Sequence, residues 1–145
     1  MTSTPSLNPR ILGQAENAHR ALLTRILEKS GTSYTHWVVL NLVATAESAV
    51  SPQELRNRVA SALKIEDAEV AETVETLVRT DVLSSDAARL ALTESGLDLY
   101  GHIRAEVDQT VTSLYDGVPR EDLAAAGRVL VLLTERANSK LGTIS

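Results

Sequence analysis

From Ile11 to Lys29 the apolar positions Leu12, Ala15, Leu22, Leu23, Ile26 and Leu27 recur at helical spacing. Gly31, just past Ser30, supplies a helix stop. A second helix is predicted from about Thr35 to Thr45, with Trp37, Leu40, Val43 and Ala44 on one side. Ser51-Pro52-Gln53-Glu54 then forms a helix start: Ser51 can cap, Pro52 suits the first helical position, and Glu54 can complete a capping box. This third helix is expected to end near Leu63. Asp67 is placed to cap a fourth over Ala68 to Thr80. Its inner face would be Val70, Val74, Leu77 and Val78, and its outer face Glu69, Glu72, Thr73 and Thr76.

After these helices the period changes. Val82-Leu83-Ser84 and Arg89-Leu90-Ala91-Leu92 read as two short strands joined through Ser85-Asp86-Ala87-Ala88. Thr93 caps a long helix reaching about Tyr115, and Gly117 with Pro119 breaks it. A last helix follows over about Arg120 to Lys140, with Leu123, Ala126, Leu130, Leu133 and Ala137 as its seam. The fold class is therefore mainly α, a winged helix-turn-helix with a small β-hairpin wing and long terminal helices. Residues 1–9 are expected to form a loose arm, 34–96 the winged domain, and 10–30 with 97–141 a dimerisation domain. The terminal helices have apolar stripes without enough local partners, and a second copy of the chain would supply them. Leu12, Leu22, Leu123, Leu130 and Leu133 are the expected dimer contacts.

Composition narrows the function classes. The chain of 145 residues contains no Cys and no Phe, one Trp and three Tyr. Disulfide and thiol chemistry are absent, which fits a cytoplasmic protein. The N-terminus lacks the basic start and apolar run of a signal peptide, and no stretch has the roughly 20 apolar residues that span a bilayer. His19, His36 and His102 fall on three different predicted helices without ligand spacing, so no metal site is expected. No phosphate loop, nucleophile elbow or zinc-protease motif is present, so neither an enzyme nor a cofactor is expected.

Charge complicates the winged-helix reading. In the stretch from Glu66 to Asp81, Glu66, Asp67, Glu69, Glu72, Glu75 and Asp81 are opposed by Arg79 alone. This one segment carries the whole of the chain's net charge of −5. A helix that reads DNA must approach a polyanion, so the segment's charge opposes the role its position suggests.

Four motifs together resemble the MarR family of bacterial transcriptional regulators. Tyr34-Thr35-His36-Trp37-Val38-Val39-Leu40 is similar to the family's aromatic-containing second helix, and Ser51-Pro52-Gln53-Glu54-Leu55 to the start of its third. Leu77-Val78-Arg79-Thr80-Asp81-Val82-Leu83 resembles the end of the recognition helix and the first wing strand. Leu92-Thr93-Glu94-Ser95-Gly96 matches the Leu-Thr-x-x-Gly exit from the wing.

The resemblance implies a homodimeric, ligand-responsive repressor that binds pseudo-palindromic double-stranded DNA and responds to a small, often aromatic, effector. It places Ala68, Glu69, Ala71, Glu72 and Thr73 toward the bases, and Arg56, Arg58 and Arg89 on phosphates or in a groove. Tyr34, His36 and Trp37 would border an effector cleft, although a lone Trp such as Trp37 is more often core than a ligand contact. Three departures stand out. The reading helix is acidic. The Leu55-to-Val70 interval is about one turn longer than the family pattern and lacks the usual turn glycine. The wing is short, with Arg89 set back in its strand. The alternative function is a MarR-like dimer that has lost DNA binding and acts through protein or small-ligand contact.

Overall fold

A computed structural model describes residues 5–46, 49–86 and 89–143. Among the described residues, six helices and a hairpin follow one another: α1 (Pro9–Glu28), α2 (Tyr34–Thr45), α3 (Pro52–Leu63), α4 (Asp67–Arg79), β1 (Leu83–Asp86), β2 (Arg89–Leu92), α5 (Glu94–Tyr115) and α6 (Arg120–Thr143). The chain divides into two compact units, residues 1–108 and 109–145.

The helix starts follow from side-chain caps. The Asn8 side chain accepts from the Ile11 amide, so α1 begins at Pro9, inside the segment expected to be a loose arm. Residues 1–4 of that arm lie outside the described residues. Ser33 accepts from the His36 amide and Ser51 from the Glu54 amide, each at 3.1 Å. Pro52 occupies the first turn of α3, as its missing N–H allows. At α4 the cap differs from expectation. Glu66 takes the capping position with no side-chain hydrogen bond, and Asp67 is the first helical residue. Carboxylates in that first turn still stabilise the helix through its dipole.

Lys64 closes α3 in the left-handed region (φ 58, ψ 43), the conformation for which a glycine would ordinarily be used. The missing turn glycine is thus replaced by a strained lysine, and the α3–α4 turn forms regardless.

The hairpin pairs Leu83 with Leu92, Ser84 with Ala91, Ser85 with Leu90 and Asp86 with Arg89. Ser85 and Asp86 belong to β1, not to the connecting turn as expected, and Ala87 and Ala88 of the expected tip lie outside the described residues. An unexpected third contact completes the wing. Val50 forms a bridge with Leu90, whose amide donates to the Val50 carbonyl at 2.7 Å.

In the first unit, Leu40, Leu55, Val59, Val70, Leu77, Leu83 and Leu90 build the larger core, joining α2, α3, α4 and the wing. A smaller core gathers Ile26, Leu27, Trp37 and Ile103. The start of α5 is fixed to the wing. Thr93 donates to the Asp81 carbonyl at 2.6 Å and accepts from the Gly96 amide at 2.9 Å. Gly96 lies so near the Val82 carbonyl that a Cβ would stand 2.1 Å from that oxygen. This close approach gives the Leu-Thr-x-x-Gly exit its physical meaning. In the second unit, α6 has no buried residue over its whole length.

Candidate nucleic-acid interface

α4 packs against α2 and α3 and turns its remaining side outward. Ala68, Glu69 and Glu72 are exposed there, as expected, and Glu66, Asp67 and Glu75 extend the same acidic surface. Two expected base-facing residues are placed otherwise. Ala71 is half-buried, and Thr73 is buried at 8% exposure. Thr73 lies three residues after Val70 and four before Leu77, both core residues, so the helical period carries it inward despite its hydroxyl. Donation to the Glu69 carbonyl at 3.1 Å satisfies that hydroxyl.

The expected phosphate-binding arginines are not equivalent. Arg56 on α3 is half-buried. Its guanidinium donates to the Gln53 side chain at 2.7 Å and lies 3.7 Å from the Asp67 carboxylate. Its Nε is buried without a hydrogen-bond partner. Part of its charge is therefore already committed to the first turn of α4. Arg58 is fully on the exposed side of α3. Arg89 opens β2 opposite Asp86, and it borders a cavity of about 430 Å³ with Ser51, Gln53, Glu54 and Asn57 at the start of α3. It thus stands beside the first turn of α3. Gln53 and Asn57, joined at 3.1 Å, are exposed polar groups on this surface that sequence reasoning did not single out. Their one-turn spacing after Ser51 is the signal that could have revealed them.

The three residues assigned to an effector cleft do not converge. Tyr34 lies under the Arg20 guanidinium of α1, 4.7 Å from its ring centroid. Trp37 is buried and stacks on Tyr100 of α5 at 5.4 Å, the Tyr100 hydroxyl donating to Asn41 at 3.0 Å. Trp37 is therefore core. His36 borders a cavity of about 270 Å³, with Ser33 at the cap of α2, Thr35 of α2, and Glu69, Glu72, Thr73 and Thr76 of α4. Burial holds the His36 imidazole below its ordinary pKa of 6.5. Consecutive helical residues point about 100° apart, which separates the three directions.

The expected dimer residues are accessible. Leu12 and Leu22 on α1 are exposed, as are Leu130 and Leu133 on α6, while Leu123 is half-buried. No group of His, Cys, Asp and Glu among the described residues could hold a metal ion, and no helix among them is long and apolar enough to cross a membrane.

Solved structures with this arrangement are plentiful. A structure described as transcriptional regulator PA3341 superposes with a TM-score of 0.75 at 22% identity, covering 90% of this chain and 97% of its own. A MarR protein from Peptoclostridium difficile superposes at 0.74 and 13% identity, covering 96% and 97%. Staphylococcus aureus MarR in complex with salicylate and kanamycin gives 0.72 at 18% identity, covering 87% of each chain. The fold is the MarR winged helix. No family model matches the sequence, and no curated protein matches it. Within the MarR fold, α3 and α4 form the helix-turn-helix and β1 and β2 the wing. The outward side of α4, the second helix of that pair, is acidic.

Proposed function

We propose that this protein is a cytoplasmic, homodimeric, MarR-like transcriptional regulator that binds double-stranded DNA and answers to a small aromatic effector, and that it is not an enzyme. The supporting observation is the exposed α4, held on α3 in a helix-turn-helix beside a two-stranded wing. The salicylate complex of the S. aureus neighbour supports an effector of aromatic type. Arg58, Arg89 and the partly committed Arg56 supply phosphate contacts, while Ala68, Glu69 and Glu72 face the bases. A carboxylate can accept from cytosine N4 in the major groove, so an acid on such a helix is compatible with sequence reading. The remaining acids raise the requirement for phosphate contacts and make binding strongly salt-sensitive.

Gel shifts with the DNA upstream of the protein's own gene, at low and moderate salt, test this reading. Retarded complexes at low salt that weaken steeply as salt rises are the expected result. Arg58→Ala should weaken binding by about threefold to tenfold for all sequences alike. Glu72→Gln should change sequence preference if Glu72 meets a base, and raise affinity uniformly if it only repels.

The acidic surface of α4 favours one other reading, a MarR-fold dimer acting through protein or small-ligand contact without DNA. Absence of any complex at either salt, for the wild type and for the Glu69→Gln/Glu72→Gln protein, would decide for it.

A further inference from the structure

The cavity between α2 and α4 joins a titratable base to the two carboxylates that a duplex would meet. His36 enters its wall from α2, half-buried, and Glu69 and Glu72 enter from α4, both exposed to solvent. Ser33, Thr35, Thr73 and Thr76 complete the polar wall, and none of them titrates near neutrality. Among the described residues no cation lines this cavity. On α1, Arg20 lies over the Tyr34 ring and is paired with Glu16 at 2.8 Å; on α4, Arg79 donates to the wall residue Thr76 at 3.3 Å and lies 3.7 Å from Glu75, a charge that does not change with pH in this range. No charged group of α3 or of the wing lines the cavity either. The charge balance of this patch therefore changes in one way within the mildly acidic range, through the His36 ring.

We propose that His36 is a proton-responsive element of the outward α4 surface: its protonation sets a positive charge against Glu69 and Glu72 and lowers the charge barrier to an approaching polyanion. The proposal rests on the duplex-binding reading above. With the imidazole neutral, no charged base among the lining residues offsets the two carboxylates, and duplex DNA is held weakly. With the imidazole protonated, each protomer presents one fewer net negative charge at the surface nearest the duplex. By linkage, a bound duplex in turn raises proton affinity at His36.

Two measurements decide it. In the first, fluorescence anisotropy with sheared genomic duplex DNA at low ionic strength compares wild type with His36→Gln, at about pH 5.5 and about pH 7.5, on either side of the ordinary histidine value. Any gain that the two proteins share comes from groups other than His36. The wild type should gain about threefold more, as expected for one charge acting through solvent over a short distance. Equal gains overturn the proposal. In the second, proton NMR follows the His36 ring, assigned by its loss in His36→Gln, through a pH titration without DNA. In Glu69→Gln/Glu72→Gln the His36 titration should move to lower pH, because the groups that favour its charged form are gone. Both substitutions are at exposed positions, so folding is not in question. An unmoved titration overturns the proposal. If neither protein holds duplex at either pH, the duplex-binding reading fails, and the NMR titration alone decides whether the proton and the carboxylates are coupled.

Discussion

Lys64 shows how a single residue can carry the cost of a departure from the family pattern. A Cβ in the left-handed region crowds the neighbouring carbonyl by roughly 1–2 kcal/mol, which glycine avoids. Its side chain recovers little, since the one bond from Nζ to the Ser61 carbonyl at 2.8 Å is exposed. Lys64→Gly should therefore stabilise the fold by about 1 kcal/mol, allowing for the extra freedom glycine has when unfolded. A urea melt should show the midpoint rising with an unchanged slope; a lower midpoint would mean the lysine is needed for some other contact. His36 carries a second residue-scale expectation. Its folded pKa is depressed by burial, so the unfolded chain takes up a proton at higher pH than the folded one. The stability this group contributes is complete above 6.5 and is lost as pH falls from there through the folded value. His36→Gln should flatten that part of the stability–pH curve, measured by denaturant midpoints at stepped pH.

At the scale of elements, the junction between wing and α5 is the most exacting. A methyl group at Gly96 would press on backbone, not on a flexible side chain, so neither partner can yield without moving β1 or α5. Gly96→Ala should cost about 3 kcal/mol, the upper part of the range for overpacking, seen as a fall in urea midpoint. Ser95→Ala next to it, exposed, should change little. This junction was legible in the sequence because Thr93 is a helix-capping residue placed directly after the strand pattern, with Gly96 at the spacing of the resembled family's wing exit. The start of α3 was legible for the same reason. Thr73 was not, because polarity argued outward while the helical period argued inward, and the period prevailed once the hydroxyl could bond within its own helix. The Tyr34, His36 and Trp37 grouping came from the family resemblance, and the separate neighbours of the three side chains follow from the roughly 100° between successive helical residues, which a motif written as a string does not display. The Arg56–Asp67 pairing joins two helices across a turn of unknown geometry, and no local pattern announces it.

At the scale of the whole molecule, α6 presents the clearest demand for a partner. Val129, Leu130, Val131, Leu132 and Leu133 are all exposed, and no residue of α6 is buried. A continuous apolar run of this kind marks an interaction surface and not a free one. With a second copy as the partner, the protein in solution should have twice the chain mass of 15.6 kDa by light scattering. Leu130→Asp and Leu133→Asp should each shift it to monomer, because each sets an unpaired carboxylate into the seam. Asn138→Asp, a charge added elsewhere on the exposed helix, serves as control and should leave the dimer intact. A wild-type monomer would remove the argument for a two-fold operator binder altogether. In the dimer the two α4 helices must also lie near one duplex turn apart, roughly 34 Å, to enter successive major grooves. Spin labels at Ala68, exposed on the first turn of α4, measure that separation directly. A separation near that value supports docking on one side of a duplex. A much shorter one would leave the reading helices unable to straddle a half-site pair, whatever their charge.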